Sequence, residues 1–325
     1  MIKRASIILL LPALILSCGA PAAPAPVYQT RLLLNTFCTI TIYDPPEPEL
    51  IAAAMELCAE YEALFSITIE GSDVWRINHA GGAPVTVAPE TAAVIMDGLH
   101  YGEISGGMFD ITIGRVSTLW DFSGGGTIPG ESELADALET VDYRQVSVTG
   151  NTVRLAHPGA WIDLGGIAKG YIADQIAGFL TGQGVRAAVI DLGGNVVTIG
   201  EKPDGSPWRI GVRDPSGEYD RRLGILETGA ASVVTSGIYE RKFEREGAIY
   251  HHILDPRTGM PVRTDLVSAT VLTDDSMTGD ILSTVMLLLG VEKAMQAIHL
   301  FPGFTGAVLL QEDGELILLG DVVFI

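Results

Sequence analysis

The residues that could do chemistry in this 325-residue chain fall in a few short runs. In the first, Asp163-Leu164-Gly165-Gly166-Ile167-Ala168-Lys169-Gly170, the apolar run Ala160 to Ile162 leads into an acid, two glycines and a lysine. That pattern predicts a strand, a tight turn and the N-terminus of a helix over Gly170 to Leu180, where backbone N–H groups can hold an anion. An ordinary β–α turn with a solvated lysine would use the same residues. The second run is Asp280 with Thr284, one turn apart on an apolar helix over 276–290 and so on one face. A carboxylate and a hydroxyl are hard oxygen donors of the kind Mg2+ takes, with water and substrate phosphates completing the shell. A helix-start acid and a buried threonine would share that spacing. In the third run, His251-His252 precedes Asp255-Pro256-Arg257. These residues could meet phosphate or move a proton, or be one core and one surface histidine before a turn.

Other elements must position these runs. Alternation over 31–43 predicts one strand, and Leu50 to Phe65 repeats apolar residues at three and four, as a helix does. A loop is expected over 66–80, and a second helix from Pro89 to Ser105. The loop after it, Ser105-Gly106-Gly107-Met108-Phe109-Asp110, sets a glycine pair beside an aromatic and an acid, which lets backbone approach a ligand closely. Hairpins are expected around Gly150-Asn151 and Asp313-Gly314, with strands at Val185 to Leu192, Trp208 to Val212, Gly224 to Glu227, Ser232 to Thr235 and Ser268 to Leu272. Regular βαβ alternation is missing, so the fold class is α+β, with mixed, largely antiparallel sheets flanked by helices.

Forty acidic against 20 basic residues give a net charge of −20, which excludes nucleic-acid binding through bulk electrostatics. There is no P-loop, dinucleotide fingerprint or nucleophile elbow. Residues 1–17 have the charge (Lys3, Arg4) and apolar core of an export signal too short to span a bilayer. Cys18 after Ser17 resembles a bacterial lipobox, which implies cleavage before Cys18, acylation of Cys18 and a tether over 18–29. In an exported chain Cys38 and Cys58 could pair, but they lie on a predicted strand and on a helix's apolar face and read as two small buried hydrophobes.

Taken together, six ordered motifs resemble the ApbE family of FAD:protein FMN transferases: Ser105 to Asp110 with Leu119-Trp120, Ile162 to Tyr171, Asp191 to Asn195, Thr235 to Arg241, His251 to Gly259, and Thr278 to Thr284. The resemblance implies a single T-fold-like domain over 30–325. It implies that FMN moves from FAD to a Thr or Ser hydroxyl of a target protein, AMP leaving, with Mg2+ as cofactor. Gly166, Asp280 and Thr284 would hold the metal. Leu34, Met108, Phe109, Asp110, Asp163, Lys169, Thr235 and Ser236 would bind FAD, and Lys169, His252 and Asp280 would be catalytic. Where the family has Met-Gly-Thr, this chain has Leu34-Asn35-Thr36, and the family's Ala at the metal carbonyl is Gly166. A target in a redox membrane complex, a lipid anchor, and a place on the periplasmic face or cell surface are implied too. The alternatives are an FAD pyrophosphatase releasing FMN and AMP, and a non-catalytic FAD-binding lipoprotein.

Overall fold

The computed structural model describes residues 25–122, 124–216 and 221–325. The export signal and Cys18 lie outside them. In chain order, β1 (Val27–Leu33) and β2 (Thr36–Asp44) are followed by α1 (Pro48–Phe65) and α2 (Asp73–Asn78). Next come β3 (Val85–Thr86), α3 (Pro89–Ile104), α4 (Gly114–Trp120), α5 (Glu131–Leu138), β4 (Val146–Thr149) and β5 (Thr152–Leu155). The second half runs α6 (Ala168–Gly182), β6 (Ala187–Leu192), β7 (Asn195–Ile199), β8 (Trp208–Arg213), β9 (Arg222–Thr228) and β10 (Ala231–Gly237). It closes with β11 (Lys242–Arg245), β12 (Ala248–His251), β13 (Leu266–Thr273), α7 (Ser276–Leu289), α8 (Val291–Ala297), β14 (Phe304–Gln311), β15 (Leu316–Gly320) and β16 (Val323–Phe324).

Eight strands form the central sheet in the order β1-β2-β6-β7-β10-β13-β14-β15. Every neighbouring pair in it is antiparallel. Period-two alternation gives this sheet two apolar faces. Ala269, Val271, Ala307 and Leu309 join Ile172 and Ile176 of α6 and Ile281 and Val285 of α7 in the main core. Val233, Leu272 and Val308 point the other way, onto Val212 and Leu226 of the β16-β9-β8 sheet. Helix α7 is buried nearly all round, which explains its continuous apolar sequence. A separate cluster of Val116, Trp120, Ala137 and Leu254 supports the loop after β12, and Trp120 Nε1 donates to the Gly259 carbonyl at 2.9 Å.

The α+β class expected from the sequence holds, and Cys38 and Cys58 are buried and free. Two local expectations need correction. The single strand over 31–43 is a hairpin whose turn is Leu34-Asn35, both left-handed at φ 53° and 57°. Two such residues make the tight turn that matches strand twist, and Asn tolerates it best after glycine. The loop over 66–80 contains α2, started by Ser72, whose side chain accepts from Trp75 N at 2.9 Å. Gly114–Trp120 forms a further helix, beyond the loop expected over Ser105 to Asp110.

Candidate active site

The N-termini of α6 and α7 meet and cap each other. Asp174 of α6 accepts from Ser276 N at 2.8 Å and Met277 N at 2.9 Å, and Asp275 accepts from Thr278 N at 2.8 Å. In return, Asp280 of α7 accepts through Oδ2 from Gly170 N at 3.0 Å. These carboxylates satisfy helix-start N–H groups that have no partner within their own helix. Burial first, with Asp275 and Asp280 adding repulsion, pushes Asp174 up to about 6. The carboxyl then binds its proton more tightly folded than unfolded, where it titrates near 3.8. Stability from this group is full below pH 3.8 and is lost as pH rises through about 6. Thermal melts across that window should show the wild-type midpoint falling relative to Asp174→Asn as pH rises; parallel curves would remove this account.

Beside this junction lies a cavity of about 400 Å³, a usual size for a small-molecule site. Gly165 and Gly166 line it from the turn before α6, Lys169 from the first turn of α6, Asp280 and Thr284 from α7, Ser236 from β10, and Arg241 and His252 from the β11–β12 region. Met108, Phe109 and Asp110 line its other wall. The turn is held from three sides. Asn78 of α2 exchanges two bonds with Ile162, at 2.8 and 2.9 Å. Asp163 accepts from Gly165 N at 2.8 Å and from Ser117 Oγ of α4 at 3.0 Å. Phe109 packs on Gly166, where a Cβ would come within 3.1 Å of the ring.

Asp280 is 3% exposed, and among the described residues no basic side chain pairs with it. Thr284 Oγ1 donates to the Asp280 carbonyl at 3.2 Å and lies 3.4 Å from Ser236 Oγ. Lys169 Nζ donates to Asn195 Oδ1 at 2.8 Å. The backbone oxygen of Arg241 lies 3.2 Å from His252 Nδ1. A carbonyl only accepts, so Nδ1 carries the hydrogen and Nε2 keeps its lone pair. Burial first, then the Arg241 charge, push His252 down to about 3, so the ring is neutral at ordinary pH.

Met108, Phe109, Asp110, Asp163, Gly166, Lys169, Ser236, His252, Asp280 and Thr284 are thus gathered at one cavity. Asp110 spends both oxygens inside the protein, on Thr112 and Tyr143, so it shapes the loop. Leu34 and Thr235 are not among the lining residues. Leu34 sits in the β1–β2 turn, and Thr235 Oγ1 bonds Thr270 Oγ1 at 2.8 Å. Val234 and Ser236 face α7, and alternation turns Thr235 to the opposite side. Asp255 and Arg257 pair with each other in their turn, and His251 Nε2 donates to the Val262 carbonyl at 3.0 Å. Arg241, Ser117 and Asn195 had no role assigned from sequence. Arg241 and Asn195 close two of the six motifs, but Arg241 meets His252 only through the β11–β12 hairpin and Asn195 meets Lys169 from 26 residues away.

The ApbE family model matches residues 34–308. A FAD:protein FMN transferase of Treponema pallidum is 35% identical over 88% of this chain and 85% of its own length. One from Klebsiella pneumoniae is 37% identical over 83% and 84%. The crystal structure of the ApbE protein from Thermotoga maritima superposes with a TM-score of 0.83 at 32% identity, covering 91% of this chain and 97% of that one. The flavin transferase ApbE from Vibrio cholerae gives 0.79 at 27% identity, covering 90% and 96%. Matched across nearly its whole described length in sequence and in fold, the chain belongs to the ApbE family.

Proposed function

We propose that this protein is a Mg2+-dependent FAD:protein FMN transferase. The oxygen of a Thr or Ser hydroxyl on a target protein attacks the FMN-side phosphorus of FAD. The bond from that phosphorus to the AMP-side oxygen breaks, AMP leaves, and FMN remains in a phosphoester. The observation that carries this reading is Asp280, a buried carboxylate with no basic partner among the described residues, opening onto a cavity that also holds Lys169 and His252. The names of the relatives support the substrate and the transfer.

The donors at Gly166, Asp280 and Thr284 fit Mg2+: one carboxylate oxygen, a hydroxyl and a backbone carbonyl, all hard. Asp280 Oδ2 is engaged by Gly170 N, which leaves Oδ1 for a cation. Among the described residues no three His, Cys, Asp or Glu side chains gather as a metal cluster, so a cation here would rest on one carboxylate and neutral oxygens. Bound Mg2+ would neutralise pyrophosphate charge. The Lys169 ammonium adds a second positive charge at the cavity wall. His252 offers its Nε2 lone pair for the hydroxyl proton. A bound pyrophosphate would favour the protonated imidazolium and draw the pKa back up from about 3. Met108 and Phe109 supply the apolar wall on which a flavin ring can lie.

Incubation with FAD, Mg2+ and a purified acceptor carrying a flavinylation motif tests the proposal. Fluorescent acceptor on a denaturing gel plus AMP is the expected result. Free FMN plus AMP would indicate hydrolysis, and unchanged FAD binding alone. The proposal extends to an exported protein anchored through acylated Cys18, serving a redox subunit of a membrane complex; no helix among the described residues is long and apolar enough to cross a membrane. Cys18→Ala should move the protein from the membrane fraction to the soluble one, and an unchanged distribution would remove the anchor.

A further inference from the structure

The run Asp191-Leu192-Gly193-Gly194-Asn195 takes no part in the chemistry above, yet its last residue holds Lys169. Asn195 is fully buried at 0% exposure, and Oδ1 accepts from Lys169 Nζ at 2.8 Å. Its other atom, Nδ2, is buried with no hydrogen-bond partner among the described residues. Such orphans are uncommon and destabilising, so each calls for a physical reason. An aspartate here would have nearly the same shape, no orphan donor and an ion pair with Lys169. Asp191, the one acid of the run, is turned into the glycine turn, where Oδ1 accepts from Gly194 N at 3.1 Å. Among the described residues, Lys169 thus has a neutral hydrogen-bond partner and no contact ion pair, although the Asp191 carboxylate lies near enough to feel its charge.

We infer that Asn195 is a positioning residue: its amide aims the Lys169 ammonium along the cavity wall and, being neutral, leaves that charge for the ligand's phosphates. The unpartnered Nδ2 is the cost of keeping an amide where an acid would quench the lysine. The inference rests on the flavin reading of this site and deepens it.

The test is titration of FAD, with Mg2+ present, into wild type, Asn195→Asp and Asn195→Ala at low and high salt. Asn195→Asp should weaken FAD binding about tenfold or more at low salt, since it replaces a charge-assisted contact by an internal ion pair. The gap should narrow to less than about threefold near 0.5 M salt, because screening removes the charge advantage of the wild type. Asn195→Ala, which frees the lysine without quenching it, should lose less than Asn195→Asp. Equal losses at both salts would mean mere loosening of the fold and would overturn the inference, as would unchanged affinity in Asn195→Asp. Wild type that binds no FAD would overturn the flavin reading and the inference together, an outcome separate from a defect confined to the variants.

Discussion

Asp280→Ala is expected to lower flavin transfer about 10³-fold or more, since the charge stabilisation supplied by a metal at a phosphoryl centre is worth several kcal/mol. Two effects combine in that variant. The cavity loses its one α7 carboxylate, and Gly170 N loses its acceptor at 3.0 Å. A buried N–H left without a partner costs about 1–3 kcal/mol, so the alanine protein should also melt earlier. Asp280→Asn separates the effects. Its side-chain carbonyl can still accept from Gly170 N, but it carries no charge for a cation. Activity should fall as far as in the alanine variant, with a smaller loss of melting temperature. Full activity in Asp280→Asn, measured at saturating Mg2+, would remove Asp280 from the metal set.

Gly170→Ala should unfold the junction that builds the site. A Cβ there would run into the Ser276 carbonyl oxygen and lie 2.6 Å from Met277 Cα. Both obstacles are backbone at the start of α7, so no side chain can turn aside. The relief is to separate α6 from α7, which stretches the Gly170–Asp280 bond and the two bonds from Asp174. Overpacking costs typically 1–3 kcal/mol, and this rigid case belongs at the upper end, about 3 kcal/mol, or roughly 5–10 °C of melting temperature. Gly178→Ala is the control in the same helix. Nothing lies within 4 Å of its Cβ, so that change should be neutral or stabilising by up to about 1 kcal/mol. Equal melting temperatures for the two variants would contradict this account of Gly170.

Gly170 also shows where sequence reading stops. Local spacing was enough to find α3, α6, α7 and the hairpins, because apolar periodicity and turn chemistry act within a few residues. It was enough to put Asp280 and Thr284 on one helix face, and the six ordered runs together pointed to the family that the comparisons show. The turn before α6 looked like a cradle of N–H groups for an anion, but the Gly170 N–H is taken by Asp280, and the glycine is there because another backbone passes beside it. Thr235 and Ser236 are adjacent on a strand, so one had to face α7; only the pairing of β10 with β13 and the seat of α7 decided that it was Ser236. The Leu34-Asn35 turn was hidden inside one alternating run, because a two-residue turn leaves little mark on a period of two. Asp110 and Asp163 kept the same letters whether their oxygens faced a ligand or the chain's own N–H and hydroxyl groups. Sequence by itself determined which residues carry charge, hydroxyls and flexible backbone, and on which element each rides. Tertiary structure alone decided which partners consume them, because contacts such as Lys169 to Asn195 and Gly170 to Asp280 join segments 26 and 110 residues apart and depend on how sheet and helices pack.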